Sequence, residues 1–151
     1  MLCNVEEIKK FVRDHEGYRN KLYYDTLGYA TIGVGHKVVD SDGFKEGVEY
    51  SEERLMTVYN EDFNKALSQA ESLCAEQLDG SYREELALII TCLVFQMGKV
   101  GVAKFRKMWA ALKAGDYETA ADELLDSRFA RQTPQRANQT ADLIRELGKS
   151  A

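Results

Sequence analysis

The chain has 151 residues, enough for one domain with a real core and at most two small lobes. Its 44% hydrophobic and 30% charged content, single proline and lack of repeats exclude fibrous and disordered classes. Net charge is −5 and the longest apolar run, Leu86 to Phe95, is too short for a bilayer, so neither nucleic acid nor membrane insertion is expected. Cys3, Cys74 and Cys92 have no paired spacing and no nearby histidine, which predicts reduced structural thiols, no metal and no cofactor. The amino terminus, M-L-C-N-V-E-E, lacks the basic start and apolar run of a secretory signal.

In chain order, Asn4 and Glu7 form a capping box that opens a first helix reaching about His15. Val5, Ile8 and Val12 recur at helical spacing, and Glu16 falls on the same stripe at the helix's carboxyl end, before Gly17. Partial desolvation and the negative end of the helix dipole both favour its protonated form, which suits a general acid. A hairpin over 18–35 follows, with the turn Asp25-Thr26-Leu27-Gly28 between two strand-like runs. Asp25 opens that turn, where backbone N–H groups or water keep a carboxylate ionised. On the returning strand, alternation puts Ala30, Ile32 and Val34 on one face and Thr31 on the other, free to orient a water. One acid, one base and a water-holder are the parts of an inverting glycosidase.

Residues 40–43 read as a turn, and 44–50 carry no clear pattern. Ser51 caps a helix of about 24 residues, with Leu55, Tyr59, Phe63, Ala66, Leu67, Ala70 and Leu73 as its stripe. Ser81 and Glu84 suggest a second capping box, before a buried helix from Leu86 to Met97 that Gly98 stops. Short helices follow over 105–114 and from Asp116 to about Asp126. Thr133 and Pro134 open the last helix, toward Leu147. Charge is uneven: acids dominate 51–80 and 113–126, and bases dominate 81–112 and 127–151. The basic segments are the ones suited to an anionic substrate.

The string E-G-x7-D-T-x-G-Y-x-T-I-G-x-G-H from Glu16 to His36 closely resembles the active-site signature of the T-even phage lysozymes. V-F-Q-M-G at 94–98 and S-R-x-x-x-Q-T-P-x-R-A at 127–137 resemble two further segments, in the family's order. The resemblance implies an α+β, mostly α fold. A small hairpin lobe (about 14–52), a connecting helix (about 51–75) and a helical lobe (about 76–151, with the first helix) would flank the active site. It implies hydrolysis of the β-1,4 bond between N-acetylmuramic acid and N-acetylglucosamine in bacterial peptidoglycan. Glu16 would be the acid, and Asp25 and Thr31 would hold the attacking water.

The same resemblance makes Gly35, His36, Phe95, Gln96 and Arg128 substrate-binding candidates, with Arg136 as a support near the acid. His36 reads chiefly as a holder of its loop, Phe95 equally as core, and Arg128 chiefly as a solvated arginine. His15 stands where the family carries an acidic residue that pairs with that arginine, so the pairing here differs. The chain is also shorter than the family between His36 and the long helix. A monomeric phage or prophage lysin is expected, held in the host cytoplasm until release and then acting on the wall in the periplasm. The alternatives are a particle-borne or delivered wall-opening domain, or a non-catalytic peptidoglycan-binding relic. Retention of Glu16, Asp25 and Thr31 argues against the relic.

Overall fold

The computed structural model describes residues 4–150, so Cys3 lies outside it. Helix α1 (Val5–Glu16) leads into strands β1 (Arg19–Tyr24), β2 (Ala30–Gly33) and β3 (His36–Lys37), then α2 (Glu52–Gln77). Helices α3 (Glu84–Ala103), α4 (Arg106–Lys113), α5 (Tyr117–Leu125), α6 (Arg128–Gln132) and α7 (Pro134–Lys149) complete a mostly helical α+β fold. The chain forms two compact units, Lys9–Lys65 and Met1–Ile8 with Ala66–Ala151; the divisions fall inside α1 and α2.

The unit of residues 9–65 is built on an antiparallel sheet in the order β1-β2-β3. Tyr23 lies opposite Thr31, and Thr31 opposite Lys37. The predicted turn forms: Gly28 takes φ +87 and its N–H donates to the Asp25 carbonyl at 2.9 Å. The expected alternation along β2 does not. Thr31, Ile32, Gly33 and Val34 are all buried. β2 is the central strand, and Leu55 of α2 sits 3.6 Å from where a Gly33 Cβ would stand, covering the face read as open. β3, only two residues long, is too short to leave a periodic signal and was not expected.

Residues 40–43 form a 3-10 turn closed by Gly43 at φ +76. The unpatterned stretch after it is ordered by side chains. Phe44 and Tyr50 meet edge to face at 4.8 Å, and the Arg54 guanidinium lies 4.6 and 4.9 Å from their centroids. Ser51 caps α2, accepting from the Arg54 N–H at 3.2 Å. Asn4 likewise caps α1, accepting from the Glu7 N–H at 2.9 Å. Val5, however, is exposed, so the apolar stripe of α1 begins at Ile8.

In the helical unit α3 begins at Glu84, and its N-cap is Arg83, not Ser81. Ser81 is drawn back into the preceding turn, its N–H donating to Leu78 at 3.2 Å, while the Arg83 side chain donates to the Leu147 carbonyl at 2.7 Å. Gly98, at φ 84 and ψ 160, breaks the helix as expected, although helical backbone resumes to Ala103. At full length α3 is apolar enough to cross a bilayer, longer than its uninterrupted apolar run suggested. Its side chains from Leu86 to Val94 are all buried within this unit. Cys74 and Cys92 are buried, and burial pushes the Cys74 thiol up to about 12.

Asp116 caps α5 through the Thr119 N–H at 3.0 Å. Ser127 caps the unforeseen α6, accepting from the Ala130 N–H at 3.2 Å. Pro134 opens α7 as predicted, but the Thr133 hydroxyl donates backward to the Phe129 carbonyl at 3.1 Å and makes no cap bond.

Gly148 shows where packing overrides propensity. Alanine in a helix normally gains about 1 kcal/mol over glycine. A Cβ on Gly148 would stand 2.6 Å from the Tyr117 Cβ, inside any real carbon contact. G148A should therefore lower the urea midpoint, by about 1–3 kcal/mol of stability. A raised midpoint would show that α7 moves aside freely.

Candidate active site

Glu16 is the last residue of α1, half-buried at the helix's carboxyl end. Gly17, at φ +79, ends the helix there. The preceding turns are anchored on α2: the Tyr59 hydroxyl donates to the Lys9 carbonyl at 2.5 Å, and Arg13 reaches the Met56 sulfur at 3.6 Å. Gly35 closes in from the other side. A Cβ at Gly35 would lie 2.8 Å from Glu16 Oε1, and its φ of +64 also favours glycine. Gly35, expected among substrate contacts, is thus packed on the carboxyl group itself.

Asp25 has a very different environment. Its Oδ1 accepts the N–H groups of Leu27 and Tyr29, both at 2.9 Å, and its Oδ2 accepts from Lys37 Nζ. Lys37, then the Tyr29 N–H, outweigh partial desolvation and hold the carboxyl below its usual range. Thr31, buried beneath, donates its hydroxyl to the Tyr29 carbonyl at 2.9 Å, so its oxygen keeps lone pairs for other donors. It is not the open hydroxyl that strand alternation suggested.

His36 is held on both ring nitrogens, by Asp62 at 2.6 Å and Asp42 at 2.9 Å. Hydrogen bonding to Asp62 leads, and with Asp42 it overcomes burial to raise the imidazole to about 9. Burial opposes the charged form of Asp42, yet the Val39 N–H and His36 bring its carboxyl below the usual range. His36 is therefore a cation bridging β3, the 3-10 turn and α2, the loop-holding role read for it. The His15 ring meets that of Phe11 of α1 at a tilt of 59°, centroids 4.6 Å apart.

The unit Lys9–Lys65 thus holds Glu16, Asp25, Thr31, Gly35, His36 and His15. Phe95, Gln96, Arg128 and Arg136 belong to the helical unit. There Phe95 packs half-buried against the core, Arg128 is exposed and Arg136 is half-buried. The Gln96 amide oxygen is buried without a hydrogen-bond partner, which marks it as an acceptor suited to a ligand. Sequence reasoning missed Lys37, Asp42 and Asp62, for which no local pattern exists. Among the described residues no three His, Cys, Asp or Glu side chains stand together as a metal site.

Fold and motif order define a lysozyme-type glycoside hydrolase. Residues 13–143 match the phage lysozyme family, and the chain belongs to that family. It is 27% identical to a probable T4-type lysozyme 2 of Dictyostelium discoideum, over 93% of this chain and 94% of that protein. It is 29% identical to the endolysin of Salmonella phage P22, over 82% of each chain. The pre-baseplate central spike protein Gp5 of Enterobacteria phage T4 is 29% identical over 89% of this chain, which spans only 27% of that protein.

The His36 clamp has a pH signature. A histidine raised on folding from 6.5 to about 9 contributes stability fully below the lower value, and that contribution is lost as pH rises through the upper one. The gap in urea stability between the parent and H36N should be on the order of 3 kcal/mol near neutral pH or below and should close in alkali. A gap that stays constant into alkali contradicts a charged His36.

Proposed function

We propose that the chain is a muramidase, hydrolysing the β-1,4 bond between N-acetylmuramic acid and N-acetylglucosamine in bacterial peptidoglycan with inversion. The observation that carries this reading is Asp25, a carboxylate fixed by two N–H groups and a lysine beside the hydroxyl-bearing Thr31 strand. Glu16, at a helix's carboxyl end, is the complementary acid. Glu16 gives its proton to the glycosidic oxygen as the bond to the anomeric carbon breaks. On the opposite face a water donates one hydrogen to Thr31 Oγ1 and the other to Asp25, leaving a lone pair for the anomeric carbon. Asp25 takes up the second proton as the new bond forms.

Gln96 Oε1 then accepts from a sugar hydroxyl or N-acetyl N–H, and Phe95 gives an apolar wall. Arg128 meets wall carboxylates. The endolysin relative supports a lysin made in the host cytoplasm that acts on the periplasmic wall after release. A particle-borne role is the second reading, favoured by the T4 spike protein, in which the matching segment is only part of a larger chain. Proteomics of purified particles separates the two.

E16Q keeps the size of the side chain and removes the transferable proton. It should fold normally and lose about 10²–10⁴-fold in turnover. NMR of the first-formed product should show the α anomer, because a water attacks once. Activity of E16Q within a few-fold of the parent, or a β anomer first, overturns the assignment.

A further inference from the structure

Asp25 is engaged on every side that the small unit presents. The turn saturates Oδ1 with the Leu27 and Tyr29 N–H groups, leaving Oδ2 as the oxygen that can take a proton. Oδ2 is also the oxygen that Lys37 holds. Lys37 reaches it from β3, directly opposite Thr31 in the sheet register, so cation, base and hydroxyl belong to one patch of sheet. The Tyr29 ring lies 5.7 Å from Lys37 Nζ, a loose cation–π contact on the same side. The other nearby polar groups are engaged elsewhere. The Tyr24 hydroxyl donates to Glu46 at 2.5 Å, and His36 is occupied by Asp42 and Asp62.

We propose that Lys37 is a positioning residue for hydrolysis: it orients the proton-accepting oxygen of Asp25 and sets the lower pH limit of activity. The inference rests on Asp25 being the base of the reaction proposed above. A cation on Oδ2 fixes the carboxylate plane and leaves one lone pair of that oxygen for the attacking water. It also favours the ionised form, as the lowered range of Asp25 reflects. The same contact makes Asp25 a weaker base, so turnover at neutral pH is exchanged for activity that persists into acid. As an ion pair with a lysine side chain 59% exposed, it contributes little to folding, and its effect belongs in the pH profile.

The test compares the parent, K37M, K37R and D25N on soluble glycan fragments of peptidoglycan, measuring kcat/KM across pH and the melting midpoint. K37M should melt near the parent and have its acid limb displaced to higher pH. Its acid-to-neutral activity ratio should fall several-fold, and K37R should restore the parent's ratio. An inactive D25N with a K37M limb superimposed on the parent's, or lowered uniformly at all pH, overturns the role of Lys37 and leaves the base assignment standing. An active D25N overturns the base assignment and the Lys37 inference with it. A K37M midpoint far below the parent's overturns the positioning role in favour of a structural one.

Discussion

The site depends on a histidine that carries a charge. His36, clamped between Asp62 of α2 and Asp42 of the 3-10 turn, ties three pieces of chain together. A partly buried ion pair costs desolvation, and that cost is recovered only when the geometry is good and both partners stay satisfied. Here both ring nitrogens are satisfied, Asp42 also takes the Val39 N–H, and Phe44 lies edge-on to the ring at 6.2 Å. The neighbours of His36 in sequence complete the arrangement. Gly35 lies against Glu16 and Lys37 holds Asp25, so three consecutive residues position both carboxylates. Displacing the imidazole would disturb the surroundings of Glu16 and Asp25 together.

The local determinants of the fold were legible in the sequence because each is decided within a few residues. The Asn4, Ser51 and Asp116 caps, the Gly28 turn and the Gly98 break all follow from one side chain or one φ angle. What could not be read is what comes from elsewhere in the chain. Leu55 of α2, some two dozen residues later in the sequence than Thr31, lies against Gly33 on the face that alternation reads as open, and Thr31 on that face is buried. Ser81 has the form of a cap, but the pull of Arg83 on the end of α7 shifts the helix start. At the site, the ionised state of Asp25 followed from its turn, while Lys37 needed the register of β3, which two residues cannot announce.

The short stretch between β3 and α2 shows how a trimmed lobe is stabilised without a helix of its own. Arg54 covers Phe44 and Tyr50 and also donates to the Asp42 carbonyl at 3.2 Å, while the Tyr50 hydroxyl accepts the Lys45 N–H at 2.8 Å. Aromatic rings and one guanidinium replace a conventional apolar core at this edge. The turn carrying Asp42 is thereby fixed, and with it the clamp on His36. The helical unit works by different means, through a continuous core running from Leu73 and Ile90 to Leu124 and Ile144.

The central claim is hydrolysis of the muramic acid linkage, and the products of purified peptidoglycan report on it most directly. Mass analysis of the soluble fragments should show N-acetylmuramic acid at the reducing ends, with one water added across each broken bond. Reducing ends of N-acetylglucosamine, anhydro ends lacking that water, or intact glycan with cut peptides would contradict the account.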